Sequence, residues 1–134
     1  MKEHRFIQKA VFLLYLAAVA FLCFGHFDSV PQAEITILGI PADKIGHFLM
    51  FLPFPVLFYL AFGWHTGSKW KSVVLAVVAL AAGCLTAYST ELIQGLTTYR
   101  SKDILDFIAD TAALVLSSAA VLTYELAQNR NHEE

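Results

Sequence analysis

Charged side chains are scarce in this chain of 134 residues. Only 15% of the residues are Asp, Glu, Lys or Arg, whereas 57% are hydrophobic. Soluble domains are about 25% charged and about 45–50% apolar, so the composition indicates an integral membrane protein. The net charge of −2 shows no excess of basic residues, and the sequence therefore predicts no nucleic-acid partner.

Cysteine is also rare, and this argues against a disulfide framework. The two cysteines, Cys23 and Cys84, both lie in apolar runs. In that setting a cysteine is usually a small side chain facing the core or the lipid, rather than half of a disulfide or of a metal pair.

The chain contains several apolar runs that are long enough to cross a membrane. A spanning helix needs roughly 20 mostly apolar residues, and four segments meet this requirement: 8–27, 44–63, 72–94 and 103–126. They predict an all-α, membrane-embedded four-helix bundle with a long first extracytoplasmic loop. The first run is predicted to be an uncleaved helix, because it is long and no A-x-A site closes it. Pro53 and Pro55 predict a kink or a local break in the second span.

The distribution of basic residues predicts the orientation in the membrane. With four spans, one side receives both termini and the second loop, which carry six of the nine Lys and Arg residues. The positive-inside rule therefore predicts that both termini are cytoplasmic. The opposite side carries Lys44, Arg100 and Lys102 against seven acidic residues, a local balance of −4. Such an acidic surface attracts cations.

The first outer loop, from residue 26 to residue 42, is long for a helix connection. It contains two prolines, a glycine and an apolar patch around Ile37 and Leu38. Two interpretations stay open: a connector that lies on the bilayer surface, and a lid over the acidic end of the bundle.

The first polar motif is Asp43-Lys44-x-x-His47, at the start of the second span. Residues three and four apart share one face of a helix, so His47 lies on the same face as both charged residues. Pro41 suits a helix start, and Asp43 is predicted to cap it. His47 is interpreted either as a proton carrier or ligand, or as a histidine bonded only to its neighbours.

The second polar motif is Glu91-x-x-Gln94, which Gly95 follows as a predicted helix end. Glu91 and Gln94 share a face at the end of the third span. Glu91 beside His47 could act as a general base or as a ligand. The alternative is a structural ion pair with Arg100 or Lys44.

The third polar motif places Asp103, Asp106 and Asp110 on one stripe of the fourth helix, with Ser101 as its predicted N-cap. The helix dipole favours carboxylates in the first turn, which accounts for Asp103 and in part for Asp106. Asp110 lies about 10 Å below Asp103. It must therefore be paired, protonated or hydrated, and this favours a functional role.

Small residues predict how the last two spans meet. Ala79, Gly83 and Ala87 recur every four residues on the third span, as Ala109, Ala113 and Ser117 do on the fourth. Stripes of this kind let membrane helices approach closely. We therefore expect these spans to pack together and to bring Glu91 near Asp106 or Asp110.

Together, the segments DKIGHFLMF, ELIQ and YRSKDILDFIADT resemble the VanZ-like family. The matching positions, which are also the candidate ligand-binding residues, are Asp43, Lys44, His47, Glu91, Gln94, Arg100, Asp103, Asp106 and Asp110. One departure is Asp110, where the family usually has asparagine. The resemblance implies one VanZ-like transmembrane domain over residues 1–134. It also implies a protein of the bacterial inner, or cytoplasmic, membrane with a role in the cell envelope. The family's namesake is associated with resistance to teicoplanin.

Several functional hypotheses follow. The first is an outward-facing polar pocket that binds a membrane lipid or a lipid-linked cell-wall intermediate, with Lys44, Arg100 and Lys102 on a phosphate. His47, Glu91 and Asp110 are candidate catalytic groups, but binding is favoured over catalysis because no serine or cysteine nucleophile stands beside a base. The alternatives are a proton- or cation-linked transporter or accessory protein, and a purely structural polar network. A further hypothesis is a divalent metal site that uses His47, Glu91 and the three aspartates, since mixed oxygen ligands with one imidazole suit Mn, Mg or Zn loosely. The spacing matches no established metal signature, so neither a metal nor a cofactor is predicted. A homo-oligomer remains open.

Overall fold

The computed structural model describes residues 2–25, 35–63, 67–98 and 102–131, and it is almost entirely helical there. The elements in chain order are α1 (Lys2–Phe24), β1 (Thr36–Ile37), β2 (Ile40–Pro41), α2 (Ala42–Phe51), α3 (Phe54–Phe62), α4 (Lys69–Gln94) and α5 (Ile104–Asn131). Helices α2 and α3 together form one candidate span, so the described residues contain four candidate membrane spans. The predicted all-α, four-helix membrane bundle is confirmed.

Three of the spans extend at one end, by three or more residues, beyond the apolar runs that predicted them. Helix α1 already begins at Lys2 and helix α4 at Lys69, while helix α5 continues to Asn131. The added turns are rich in residues such as Lys, Glu, Arg and Gln, which are good helix formers. A run of apolar residues marks the part of a helix that hydrocarbon requires, whereas backbone hydrogen bonding carries the helix further.

The second span is interrupted at its prolines, as predicted. Helix α2 ends at Phe51 and helix α3 begins at Phe54. Proline cannot donate a backbone hydrogen bond to the preceding turn, yet Leu52 and Pro53 both keep right-handed helical dihedral angles. The interruption is therefore a local break within one span.

The prediction that Asp43 caps helix α2 is wrong. The N-cap position is occupied by Pro41, with no side-chain cap, and Asp43 lies inside the first turn. The backbone N–H of Ala42 donates to the carbonyl of Ile35 at 2.8 Å. The residue that precedes strand β1 thus satisfies this donor, and the Asp43 carboxylate is left to accept a hydrogen bond from Lys44.

The described part of the outer loop is a short antiparallel hairpin of β1 and β2. Leu38 and Gly39 form its turn with φ values of 53° and 80°, the left-handed geometry that two-residue hairpin turns require. All residues from 35 to 41 are exposed, and Leu38 is 98% exposed. Residues 35–41 therefore do not pack over the bundle as a lid. Residues 26–34 lie outside the described part of the chain.

Helices α4 and α5 form a close interface, as the small residues predicted. Ala79, Ala87 and Ala113 are buried there. A Cβ atom added at Gly83 would lie 2.5 Å from Leu114 and 3.2 Å from Phe54, so any larger residue here would displace the Leu114 side chain. The apolar core continues towards α1, where Phe12 packs edge-on against Phe54 at 5.5 Å between ring centroids. Cys23 is buried and Cys84 half-buried, and neither forms a disulfide.

Candidate functional site

Four helix ends meet at one end of the bundle. They are the end of α1, the start of α2, the end of α4 and the start of α5. The side-chain amide of Gln94 donates to the carbonyl of Cys23 at 2.9 Å, which ties α4 to α1. Across the same end, Lys44 at the start of α2 contacts Asp103 immediately before α5. The polar residues that precede or end three different spans are thereby brought together.

Lys44 is at the centre of this arrangement. Its ammonium donates to Asp43 at 2.8 Å, to Asp103 at 2.6 Å and to Asp106. A lysine has three donors, so these carboxylates use all of them. The hydrogen bond from Lys44 also holds the pKa of Asp103 below its usual value. One positive charge thus serves three carboxylates.

Asp103 has a second role at the start of helix α5. Its Oδ1 accepts a hydrogen bond from the backbone N–H of Leu105 at 2.9 Å. Because the helix begins at Ile104, Asp103 occupies the capping position. Ser101, the cap that the sequence predicted, lies outside the described residues.

His47 lies between two aspartates of α5. Its Nδ1 is 3.0 Å from Oδ1 of Asp110, and its Nε2 is 3.4 Å from Oδ2 of Asp106. Asp110 is fully buried and His47 is 8% exposed. An ionised Asp110 can only accept a hydrogen bond, and in that state Nδ1 of His47 is the donor. Nε2 faces Asp106. The sequence required a partner for Asp110, and His47 is that partner.

Glu91 is 1% exposed, and its two oxygens have different surroundings. Oε2 accepts the backbone N–H of Asp103 at 3.2 Å, which fixes the end of α4 against the start of α5. Oε1 has no hydrogen-bond partner among the described residues, and the same holds for Oδ1 of Asp43 and Oδ2 of Asp110. A buried carboxylate oxygen without a partner is costly. These oxygens therefore favour a positively charged ligand.

The structure thus brings seven of the predicted site residues into contact. We call this group the polar cluster: Asp43, Lys44, His47, Glu91, Asp103, Asp106 and Asp110. Gln94 lies at the same end, but its amide is bonded to the α1 backbone. Arg100 lies outside the described residues. Lys102 has its ammonium 5.6 Å from the ring centroid of Tyr88, so the described contact of this lysine is with an aromatic ring.

Two sets of donors in the polar cluster are close enough to hold a metal ion. Donor atoms of Asp43, Asp103 and Asp106 lie within 4.8 Å of one another, and so do donor atoms of His47, Glu91 and Asp106. The second set is buried, while the first is half-buried except for Asp106. Asp106 belongs to both.

A second buried polar group lies at the opposite end of the bundle, and the sequence analysis missed it. Glu125 is fully buried. It accepts hydrogen bonds from the hydroxyl of Tyr59 and, at 3.4 Å, from that of Ser72, and Asn129 donates to Ser72 at 3.0 Å. Helical spacing could have indicated this residue, because Glu125 lies on the buried face of α5 that also carries Asp106 and Asp110. Glu125 directly follows the apolar run, so the run alone does not mark it.

Comparison with protein families accounts for this set of motifs. The family model described as VanZ/LLP1 matches residues 8–126, which include the whole polar cluster. The chain belongs to the VanZ/LLP1 family. Neither the search of curated proteins nor the search of solved structures gave a match.

Membership confirms the resemblance that the three segments carried. Together with the four candidate spans, it establishes a multi-pass membrane protein of the VanZ/LLP1 family.

Proposed function

We propose that this VanZ/LLP1 protein lies in the bacterial cytoplasmic membrane and binds an envelope lipid or a lipid-linked cell-wall intermediate at the polar cluster. In this proposal both termini are cytoplasmic, and the single domain of residues 1–134 presents its cluster to the outer side. The observation that carries the proposal is a buried polar cluster bordered by exposed apolar side chains.

The apolar border is formed by the chain segments that also carry the cluster. Leu96 follows the end of α4 and is 85% exposed, while Ile104 and Leu105 follow Asp103 and are 62% and 55% exposed. In a membrane these side chains face lipid or the interface. A ligand with a polar head and an apolar tail can place one part on each surface, as small-molecule sites commonly combine apolar walls with a few polar groups.

The charges of the polar cluster restrict the head group. Five carboxylates face Lys44 and His47, and the ammonium of Lys44 is already bonded to three of them. The phosphate contact that the sequence suggested for Lys44 and Lys102 is therefore weakened. A lipid phosphate requires additional positive charge, from Arg100, from an amine of the ligand or from a bound cation.

Native mass spectrometry of the full chain in detergent tests the proposal. We expect the wild-type protein to retain an envelope lipid and Glu91→Gln to lose most of it, because the substitution removes a charge but keeps the shape. Glu3→Gln is the matched control, since Glu3 is an exposed acid in the first turn of α1. Arg100→Ala tests the phosphate contact, and the mass of the complex also gives the oligomeric state.

Two outcomes would reject lipid binding at the polar cluster: a folded wild-type protein without retained lipid, and equal retention by wild type and Glu91→Gln. Loss of retention in Arg100→Ala would assign the lipid phosphate to Arg100. Unchanged retention in that variant would reject the phosphate contact while leaving the cluster as the site.

We also propose that this chain confers glycopeptide resistance and that the resistance requires an intact polar cluster. Expression in a susceptible host should raise the inhibitory concentration of teicoplanin, and Glu91→Gln should abolish the increase. Equal inhibitory concentrations with and without the wild-type protein would reject this role.

A second candidate function is proton- or cation-linked transport. It is favoured by the buried polar residues along α5, where Asp110 and Glu125 lie near opposite ends with Ser117 and Ser118 between them. These acids are about 22 Å apart at 1.5 Å per residue, and ionisable residues inside membrane bundles often relay protons. Liposomes containing the protein should then show proton or cation flux that Asp110→Asn abolishes. Flux equal to that of empty liposomes would reject transport.

A further inference from the structure

We infer that His47, Glu91 and Asp106 form a binding site for one divalent transition-metal ion. The inference deepens the proposed function and rests on it for its biological use, because the ion would supply the positive charge that a lipid phosphate needs at this acidic site. Metal binding itself can be measured without any lipid.

The polar cluster consists of two adjacent sets of carboxylates that share Asp106. In the first set, the Lys44 ammonium bonds to Asp43, Asp103 and Asp106. The Lys44 ammonium therefore supplies the positive charge of this set. In the second set, donors of His47, Glu91 and Asp106 converge within 4.8 Å, and no Lys or Arg among the described residues forms an ion pair with Glu91.

The orientation of His47 suits a metal ligand. With an ionised Asp110 as the acceptor, Nδ1–H donates to Asp110 at 3.0 Å. A neutral imidazole then presents Nε2 as an acceptor, 3.4 Å from Oδ2 of Asp106. Two acceptors at this distance repel each other unless a proton or a metal ion lies between them. Histidines that bind metals almost always donate their other N–H to a carboxylate or a carbonyl, and Asp110 has that role here.

Glu91 provides an independent observation. It is 1% exposed, and its Oε1 has no hydrogen-bond partner among the described residues. Its other oxygen is held by the backbone of Asp103, so the carboxylate is fixed in position. An ion bound to Oε1 would remove the cost of this unpaired oxygen.

The donor types restrict the ion. One imidazole nitrogen and two carboxylates suit Zn²⁺, Mn²⁺ or Fe²⁺ better than Mg²⁺ or Ca²⁺, which prefer oxygen ligands only. Three protein ligands leave coordination positions for water or for a phosphate oxygen. The motif spacing gave no metal signature because the three donors come from three different helices.

The test is a titration of the full-length, chelator-treated protein with Zn²⁺ and, separately, Mg²⁺ in lipid-free detergent. We expect one equivalent of Zn²⁺ to bind, with at least 100-fold weaker Mg²⁺ binding. Glu91→Gln and His47→Gln should weaken Zn²⁺ binding by at least 100-fold. Asp110→Asn should weaken it about 10–100-fold, as is typical for a partner of a metal-bound histidine.

Two control variants each remove a carboxylate that is no proposed ligand. Glu3→Gln changes an exposed residue in the first turn of α1, and Glu125→Gln changes the opposite end of the bundle. Neither should alter Zn²⁺ affinity more than about threefold, a difference of about 0.7 kcal/mol. An equal loss of affinity in the controls and in Glu91→Gln would overturn the assignment.

Nitrogen-15 NMR of the histidine side chains uses the wild-type protein, so this test does not depend on whether a variant folds. Addition of Zn²⁺ should shift Nε2 of His47 to the range of a metal-bound nitrogen. An imidazolium spectrum that Zn²⁺ leaves unchanged would show that a proton occupies the position between His47 and Asp106, and would overturn the inference. Zn²⁺ well below one equivalent in the folded wild type would do the same.

The metal titration and the lipid measurement can reject the metal site and the proposed function independently of each other. Zn²⁺ binding without lipid retention upholds the metal site and rejects the proposed function. Lipid retention by protein that binds no Zn²⁺ rejects the metal site and leaves the proposed function in place.

Discussion

At the scale of single residues, burial separates the acids of the polar cluster. Asp43 has a side chain that is 36% exposed and shares Lys44 with two other carboxylates. Asp110 is fully buried, and its described hydrogen bond is to His47. Removal of the two carboxylates should therefore have different consequences.

We expect Asp110→Ala to lower the free energy of unfolding by about 1–3 kcal/mol, because it leaves the buried N–H of His47 without an acceptor. Asp43→Ala should change it by less than about 1 kcal/mol, as is typical of exposed ion pairs. Denaturation in detergent, with a chelator present, measures both. Equal effects would show that burial does not distinguish the two acids.

Tyr59 allows a similar comparison at the opposite end of the bundle. Tyr59→Phe removes the hydroxyl that donates to buried Glu125, and should cost about 1–3 kcal/mol of unfolding free energy. Tyr124 lies beside Glu125 in sequence but is 51% exposed. Tyr124→Phe is therefore the matched control and should change stability by less than about 0.5 kcal/mol. A smaller effect of Tyr59→Phe than of the control would contradict a stabilising role for this hydrogen bond.

At the scale of elements, the close approach of α4 and α5 positions the polar cluster. Glu91 is two turns beyond Gly83 on α4, and Asp110 is about one turn before Leu114 on α5. The contact between Gly83 and Leu114 thus sets the distance between helices that together carry three residues of the cluster. Small residues at membrane helix interfaces allow such an approach.

Gly83→Ala should separate these helices. The new methyl group would lie 2.5 Å from a terminal carbon of Leu114, which is itself fully buried, and overpacking of this kind costs about 1–3 kcal/mol. Gly46→Ala is the control, since nothing lies within 4 Å of its added Cβ and alanine is the better helix former by about 0.5–1 kcal/mol. The thermal unfolding temperature should therefore fall for Gly83→Ala and not for Gly46→Ala. A fall for both would indicate that glycine is needed for another reason.

At the scale of the whole molecule, the bundle has two polar ends with different compositions. The polar cluster forms one end, and the group around Glu125 forms the other. The Lys and Arg distribution predicts that the cluster faces away from the cytoplasm.

Cysteine labelling in intact bacterial cells tests this orientation. In a chain with Cys23→Ala and Cys84→Ala, we expect Leu38→Cys in the exposed hairpin to react with a membrane-impermeant maleimide. Trp70→Cys, at the start of α4 and 74% exposed, should react only after the cells are permeabilised. The reverse pattern would place the polar cluster on the cytoplasmic side.

The sequence by itself determined the four spans, the break at Pro53, the stripe of aspartates on α5 and the small-residue contact of the last two spans. These features depend on local quantities: the length of hydrocarbon a helix must cross, the 3.6-residue period and the missing N–H of proline. They can therefore be obtained without knowing what each helix packs against. The ends of the helices were less accurate, because polar turns extend α1 and α5 beyond the apolar runs.

Only the tertiary structure decided the partners of the polar side chains. Lys44 bonds to Asp106 across 62 positions of sequence, His47 takes Asp110 rather than Glu91 as its hydrogen-bond partner, and Gln94 bonds to the backbone of α1. A long polar side chain can reach several partners, and its choice depends on how distant helices are rotated and spaced. The capping error at Asp43 has the same origin, since the hairpin supplied the backbone partner from outside the helix.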